Sequence, residues 1–266
     1  MSRRARCALL ALSLVAIAMP PSTGSATEAD GIVLLIPQLS PTDLVENGQL
    51  TGLWVGLPKL AAARAQVAIA GIEIVPYARI FKAVPSGENY CCPLIARTAE
   101  LEKDYRWLAP TQRIILSAFV LRDRADPPRT LDDLKRETVV ALRGVLSAQA
   151  LASLGLSVGE THTGDNAVQM LQRGRVTAVI LGNVGAWVAQ RSGVALREAV
   201  RLWEWPGYFA CSPGLDAAIS RRLADAIDDI FAHGEDRAFA AADGLGDDYE
   251  RMRPVAAETP PVSADR

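Results

Sequence analysis

The sequence lacks most of the patterns that assign a catalytic or nucleic-acid-binding class directly. It contains neither GxSxG nor GxxxxGK[ST], so neither a serine-hydrolase elbow nor a phosphate-binding loop is indicated. It has no block of five or more like charges and a formal net charge of −2, which gives no sign of a nucleic-acid surface. The only histidines, His162 and His233, are far apart and no CxxC occurs, so neither a zinc site nor a redox dithiol is expected.

The first 26 residues differ from the rest of the chain. Arg3, Arg4 and Arg6 precede the apolar run 7–19, and small residues and helix breakers follow it. This order is typical of a signal peptide whose last residue is Ser25 or Ala26, and the run is short for a membrane span. The alternative is an uncleaved anchor, and the arginine pair fits a twin-arginine signal poorly. Removal leaves 25 basic and 30 acidic side chains, a net charge of −5, so we expect a soluble periplasmic protein.

Because we expect the protein to be exported, the three cysteines that follow the signal peptide are candidates for oxidation. Cys91 and Cys92 are adjacent on one predicted strand, so their side chains point to opposite faces, and Cys211 lies on a distant strand. One disulfide between Cys211 and one of the pair, with the third thiol free, is one interpretation. The other interpretation is that all three cysteines are buried thiols that behave as small hydrophobic side chains. The sequence does not decide between them.

Strands and helices alternate along the chain, which predicts an α/β fold with a parallel sheet flanked by helices. A chain of 266 residues, half of them hydrophobic, suffices for one large domain or two lobes. Apolar runs predict strands at 31–38, 72–77, 90–96, 114–123, 138–144, 176–183 and 203–213. Helical spacing predicts helices at 54–70, 78–87, 164–175, 184–193 and 214–236, a helix capped by Thr130, and a helix within 144–155.

Three local features carry further expectations. The strand that ends at Gly144 runs into a helix start, where free backbone N–H groups can meet an anion. Asp216 lies near the start of the 214–236 helix, as the helix dipole favours. From Asp247 the chain is charged and rich in proline, so we expect a disordered tail.

Five phrases, in order, resemble the bacterial extracellular solute-binding proteins of family 3, the two-lobed periplasmic binding proteins of amino-acid ABC importers. Each phrase is degenerate alone, and their specificity comes from the order over most of the chain. Tyr77 stands where the family has a tryptophan. The phrases are "NGQLTGLWVGL", "IVPYARIFKAVPSG", "ARTAELEKDYRWLAP", "TLDDLKRETVVALRG" and "MLQRGRVTAVILGN".

The resemblance implies two α/β lobes joined by two crossovers, near 111–119 and 203–208, with the ligand held between the lobes. Closure of the lobes on the ligand would follow from its higher affinity for the closed state. The implied division is a signal peptide at 1–26, lobe 1 at 27–116 and 207–250, lobe 2 at 117–206, and a tail at 251–266.

The residues by which the family binds amino acids are changed here. The arginine that clamps the ligand carboxylate falls on Leu101, and the acid that takes the α-amino group falls on Gly182, next to Asn183. Thr177 occupies the position of the first acid in that motif, and Thr42 replaces the aromatic residue that covers the ligand. A leucine cannot balance a buried carboxylate, which would cost several kcal/mol if left unpaired.

The remaining polar residues of the motifs are our candidates for ligand binding, and two interpretations are open for them. In the first, Arg97 replaces the missing cation, since it lies at a strand end, where α/β folds commonly bind ligands. In the second, Arg79 and Arg97 form structural ion pairs with Glu100 or Glu102, while the aromatic residues pack the lobe. The candidates are Tyr77, Arg79, Arg97, Thr98 and Trp107 in lobe 1, and Gly144, Ser147 and Asn183 in lobe 2.

We expect a monomeric, non-enzymatic protein that binds a small polar solute, without cofactor, metal or nucleic acid, and delivers it to an ABC permease. A second hypothesis is a sensory or accessory protein that works with a sensor partner and no permease. A third is a dehydratase resembling cyclohexadienyl dehydratase, for which Glu100 and Asp165 are the nearest acid or base candidates.

The changed positions generate a prediction. Because Leu101 and Gly182 offer neither a cation nor an acid, none of the twenty standard amino acids should raise the unfolding temperature of the mature protein at micromolar concentration. Thermal unfolding with each amino acid measures this. Clear stabilisation by one of them would contradict the interpretation of both positions.

Overall fold

The computed structural model describes residues 31–38, 45–46, 49–50, 52–143, 150 and 153–254. The strands there are β1 Ile32–Pro37, β2 Val45–Glu46, β3 Gln49–Leu50, β4 Ile69–Val75, β5 Tyr90–Ala96, β6 Arg106–Leu121, β7 Val139–Leu142, β8 Val158–Thr161, β9 Ala178–Gly182 and β10 Leu196–Cys211. The helices are α1 Leu53–Arg64, α2 Tyr77–Ser86, α3 Leu131–Leu134, α4 Gly164–Gln172, α5 Asn183–Arg191, α6 Ala217–His233, α7 Asp236–Ala242 and α8 Gly246–Met252.

One eight-stranded sheet organises the fold, in the order β4-β1-β5-β10-β6-β9-β7-β8. Strands β4, β1 and β5 are mutually parallel and form the first half-sheet; β9, β7 and β8 are likewise parallel and form the second. Between them, β6 and β10 form an antiparallel ribbon, each strand 16 residues long. The parallel pairing predicted from sequence therefore holds within each half-sheet, and the centre is antiparallel.

The ribbon is longer than the sequence predicts. The strands expected at 114–123 and 203–213 extend in the structure over 106–121 and 196–211. The apolar pattern missed the first part of β6, which contains Pro110. Strand β9 pairs with β6 only from Leu116 to Phe119, so Pro110 lies on a stretch with β10 as its one strand neighbour, where a missing N–H is tolerated.

Other boundaries also needed correction. The helix predicted at 54–70 ends at Arg64, because Gln66 takes a left-handed backbone with φ of 54° and β4 then begins. The sequence analysis missed strand β8. The cap predicted at Thr130 is confirmed, since Thr130 forms a capping box with Asp133. Asp216, predicted only to lie near its helix start, is the N-cap and accepts hydrogen bonds from the N–H groups of Ala218 and Ile219.

The prediction of a disordered tail from Asp247 is wrong for its first residues. Residues Gly246–Met252 form α8, in which Tyr249 and Met252 are buried. The side chain of Asp236 is fully buried and accepts from the Tyr249 hydroxyl at 2.7 Å and from Arg253 Nε at 2.7 Å. A buried carboxylate needs such partners, and these contacts fix the charged segment to the body of the protein. The rest of the predicted tail, 255–266, lies outside the described residues, as does the signal sequence.

A disulfide joins Cys91 on β5 to Cys211 on β10, which are register partners with a Cα–Cα distance of 4.0 Å. Cys92 points to the opposite face, is buried, and remains a free thiol. Burial raises the pKa of this thiol to about 12, so it stays protonated and inert. The structure thus selects the disulfide interpretation. No helix among the described residues has the length and apolarity needed to cross a membrane.

The disulfide generates a stability prediction. Its cysteines are 120 residues apart, so Cys91→Ala/Cys211→Ala should lower the free energy of unfolding by about 2–4 kcal/mol by releasing a long loop in the unfolded chain. Urea unfolding of both proteins measures the change. With dithiothreitol present, wild type and variant should unfold at nearly the same urea concentration; a difference that persists in reductant would refute the assignment.

Candidate functional site

A cavity lies where the two half-sheets meet the central ribbon. It encloses about 800 Å³ of space, part of it open to solvent. Both half-sheets contribute to its wall, so a molecule bound there would contact both. The lining residues are Tyr77, Phe81, Leu94, Ala96, Gln112, Ile114, Leu116, Leu142, Gly164, Ile180, Leu181, Gly182, Asn183, Val184, Gly185 and Trp205.

The floor of the cavity is one face of the ribbon. Gln112, Ile114 and Leu116 alternate along β6, so all three side chains emerge on the same side. Trp205 on β10 is the register partner of Ile114 and adds an aromatic ring that stacks on Trp203 at 5.6 Å between ring centroids. The ribbon therefore supplies a largely apolar floor with one amide in it.

The walls come from strand ends and helix starts. The lining residues Ala96, Leu142 and Gly182 are the last residues of β5, β7 and β9. Tyr77 and Gly164 are the first residues of α2 and α4. Ligand sites in α/β folds lie at this carboxyl edge of the sheet, so the position of the cavity follows from the strand order.

The described lining carries no ionisable side chain other than the Tyr77 phenol. Burial raises the pKa of that hydroxyl well above its ordinary value, so the phenol remains neutral. The internal stretches outside the description, 39–44, 47–48, 51, 144–149 and 151–152, contain no Lys, Arg or His, and Asp43 is their one acidic residue. The sequence predicts a small polar solute, whereas this lining favours a less polar molecule.

The start of α5 brings backbone donors to this apolar wall. The N–H groups of Val184 and Gly185, the second and third residues of α5, have no partner within the helix, and both residues line the cavity. The N-cap residue is Gly182, which has no side chain to accept from them. These groups are therefore available to a ligand.

Gln112 adds a side-chain donor. The residue is only 3% exposed, and its Oε1 accepts from Trp54 Nε1 at 3.0 Å. Because an indole nitrogen can only donate, this contact fixes the oxygen of the amide toward Trp54 and assigns Nε2 to the other branch. Gln112 Nε2 is buried and has no hydrogen-bond partner among the described residues. A buried donor without a partner costs about 1–3 kcal/mol, which indicates a role beyond packing.

Of the eight residues predicted from sequence, Tyr77 and Asn183 line the cavity. The Tyr77 hydroxyl makes a long contact, 3.4 Å, with the carbonyl oxygen of Leu94 and can donate elsewhere. The Asn183 amide is occupied: its Nδ2 donates to the Arg113 carbonyl at 2.9 Å, and its Oδ1 accepts from the Ile115 N–H at 3.3 Å. Asn183 thus continues the β6–β9 ladder beyond its last backbone pair and fixes the start of α5.

Arg97 is held in a structural cluster and does not line the cavity. Its Nε and Nη2 donate to the Glu102 carboxylate at 2.9 and 2.5 Å, and these bonds hold the Glu102 pKa below its ordinary value. The guanidinium also lies 5.5 Å from the Trp107 ring centroid and 4.9 Å from that of Tyr208. This geometry is the structural ion pair that the second interpretation of the sequence described.

The other predicted residues also lie outside the described lining. Trp107 donates from Nε1 to the Glu102 carbonyl at 3.1 Å, and the Thr98 carbonyl accepts from the Leu101 N–H in the same turn. Arg79 is exposed and pairs loosely with Glu73 at 4.0 Å. Gly144 and Ser147 fall outside the described residues, so their roles stay predictions.

The structure shows what surrounds the positions at which this sequence departs from the ligand-binding residues of the resembling family. Leu101 packs against the apolar cluster that contains Phe81 and Tyr105, so it contributes to the core beside the cavity. Gly182 has open space where a side chain would start, with no neighbouring heavy atom within 4 Å of the point that a Cβ would occupy. Thr177 lies away from the cavity and accepts from the Thr138 N–H at 3.0 Å, while Thr42 lies outside the described residues.

Sequence reasoning missed Gln112 and most of the apolar lining. The available signal was the alternation of Gln112, Ile114 and Leu116 on a strand, but that strand was predicted to begin at 114. A glutamine preceding an apparent strand looks like a loop residue. Only the extension of β6 shows that it shares a face with the apolar floor.

One cluster of potential metal ligands occurs elsewhere in the described structure. Asp229, His233 and Glu235 lie close together at the end of α6. Arg64 donates to Asp229 at 2.6 Å and to Glu235 at 2.9 Å, so an arginine already neutralises the two carboxylates. The cluster is an exposed ion-pair network that joins α1 to α6.

Comparisons with known proteins match the fold. No family model matches the sequence, and no curated protein matches it significantly. A histidine kinase sensor domain with similarity to periplasmic binding proteins is 19% identical, with a TM-score of 0.69 over 84% of this chain and 98% of that one. A putative L-cystine ABC transporter from Listeria monocytogenes is 18% identical, with a TM-score of 0.70 over 83% and 98%. The chain has the fold of a periplasmic binding protein.

An ancestral amino-acid-binding protein, a precursor of cyclohexadienyl dehydratase, shares the periplasmic-binding-protein fold at 20% identity, with a TM-score of 0.66 over 81% of this chain and 96% of that one. The two-lobed α/β fold predicted from sequence is therefore confirmed. Sensor, transporter and enzyme precursor all use this fold, so the fold alone does not select a function.

The contacts of Asn183 generate a prediction. Asn183→Ala should lower the free energy of unfolding by about 1–2 kcal/mol, because two backbone groups of β6 lose their partner. Urea unfolding measures the change. Gln190→Ala, at an exposed amide on the same helix, is the control and should change little. Equal effects of the two substitutions would show that the ladder extension does not stabilise the fold.

Proposed function

We propose that the protein is an exported solute-binding protein that closes its two lobes on a small molecule held in the cavity. The observation that carries the proposal is that one cavity is lined by β5 and α2 from the first half-sheet, and by β9 and α5 from the second. A molecule that contacts both lobes in the closed state stabilises that state by the contacts it loses on opening.

We place the lobes at 27–116 with 207–250, and at 117–206. Two features of the sheet support these boundaries. Strand β6 begins to pair with β9 at Leu116, and β10 begins to pair with β5 at Gly207. The chain therefore changes its neighbours in the sheet at the two places where it would pass from one lobe to the other. The ribbon between these points is the natural hinge.

We further propose that the protein works in the periplasm as a monomer and delivers its solute to an ABC permease. The N-terminal signal pattern and the likeness to a putative L-cystine ABC transporter support this. A sensory role is the second candidate, because a histidine kinase sensor domain matches the fold over 98% of its own length.

The enzyme alternative receives less support from the cavity. Glu100 is exposed, and Asp165 lies in the first turn of α4; neither is among the described lining residues. General acid or base catalysis requires a titratable group within hydrogen-bond reach of the substrate. We therefore favour capture and release over turnover.

A cavity-blocking variant tests the proposal. Gly182 has an ordinary extended backbone and open space around its Cβ position, so Gly182→Leu should fill the cavity without strain. Native mass spectrometry of wild type purified from its own periplasm should show a bound small molecule, and the variant should lack it. The matched control is Gly214→Leu, at an exposed glycine that also has open space but does not line the cavity.

The control should retain the bound molecule at the wild-type level. Retention by Gly182→Leu as well would place the ligand outside the cavity. Absence of any bound molecule in wild type, together with unchanged unfolding temperatures in periplasmic extract, would contradict the binding function itself.

A further inference from the structure

We infer that the ligand is an apolar molecule that carries an oxygen acceptor, a carbonyl or carboxylate, and no ammonium group. This inference rests on the proposed function, since it names the class of molecule that the cavity binds. It follows from a count of what each polar atom of the described lining still has to offer.

The free polar groups of the lining are donors. Gln112 Nε2 is buried without a partner among the described residues, and the N–H groups of Val184 and Gly185 at the start of α5 face no capping side chain. The Tyr77 hydroxyl makes only a 3.4 Å contact. These donors belong to residues of the floor and of both walls, so a ligand with an oxygen acceptor can form hydrogen bonds that a hydrocarbon cannot.

The acceptors of the same side chains are occupied. Gln112 Oε1 accepts from Trp54, and Asn183 Oδ1 accepts from the Ile115 N–H. No carboxylate lines the cavity within the described residues. An ammonium group needs acceptors for three N–H bonds, and burial without them costs several kcal/mol.

The rest of the lining is apolar, and it determines which kind of molecule can fill the cavity. Phe81, Ile114, Leu116, Ile180 and Trp205 present hydrocarbon or aromatic surface. Burial of apolar ligand area against such walls is favourable at about 25 cal/mol per Å². A small polar molecule would instead lose its hydration here without replacement.

The changed family positions agree with this class. An α-amino acid brings both a carboxylate and an ammonium group. Gly182 supplies no acid for the ammonium, and Leu101 is packed into the apolar cluster beside Phe81. The helix start and Gln112 can still receive an oxygen, so one half of the family's ligand chemistry is lost and the other is rebuilt from neutral donors.

Four probes of similar size separate the chemical groups: acetophenone, benzoate, benzylamine and ethylbenzene. Their affinities for the mature protein are measured by ligand-observed NMR. At least one oxygen-bearing probe should bind about 10-fold more tightly than ethylbenzene, and benzylamine should not bind better than ethylbenzene. The order of acetophenone and benzoate distinguishes a carbonyl from a carboxylate as the acceptor.

Variants test the role of Gln112. Gln112→Met alone would leave the Trp54 indole without an acceptor, so it is made in the Trp54→Phe background and compared with Trp54→Phe. It should weaken the oxygen-bearing probe about 3- to 10-fold and leave ethylbenzene unchanged. Gln172→Met, at an exposed glutamine that ends α4, is the control and should leave both affinities unchanged. Thermal unfolding shows that each variant is folded.

Several results would overturn the inference. These are binding of benzylamine as tight as that of the best oxygen-bearing probe, equal binding of ethylbenzene, an unchanged affinity in Gln112→Met, or no binding of any probe. The comparison of Gly182→Leu with Gly214→Leu is independent of these. A periplasmic ligand that is lost only in Gly182→Leu but carries an ammonium group would contradict the inferred ligand class. It would still support the proposed binding function.

Discussion

The structure depends on the antiparallel pairing of β6 with β10. Each strand runs for 16 residues; β10 pairs with β5 of the first half-sheet, and β6 pairs with β9 of the second. All contact between the half-sheets within the sheet passes through this ribbon. The disulfide between Cys91 and Cys211 anchors one end of it to β5, and the amide of Asn183 ties the middle of β6, at Arg113 and Ile115, to the start of α5.

The same ribbon determines the chemistry of the cavity. Because side chains alternate along β6, the register that pairs Ile114 with Trp205 also places Gln112 on the cavity face. A shift of one residue would replace the three floor residues by their neighbours and turn Gln112 away. The hydrogen-bonding capacity of the site is therefore set by strand pairing far more than by any loop.

Sequence reasoning reached the fold and only part of the site, for physical reasons. Buried strands such as 31–38 and 90–96 and the cap at Thr130 are local patterns, and they were found. The first half of β6 is stabilised by β10, some 90 residues away along the chain, so its sequence shows no strand pattern of its own. Gln112 became recognisable only with that pairing, since its lack of a partner is a property of the packed interior.

The turn at 96–110 has a structural role that its resemblance to a ligand-binding motif does not predict. Arg97 looked like the one cation left for a ligand, yet Glu102, Trp107 and Tyr208 hold it in place. A guanidinium with a bidentate carboxylate and two aromatic faces would lose all of these contacts on turning to a ligand, so it stabilises the turn. Leu101 then completes the change: its side chain joins the apolar cluster, and the wall that binds a charge in the resembling family becomes hydrocarbon. The motif retains the turn, and in the inference drawn above the neutral donors of Gln112 and α5 recognise the ligand.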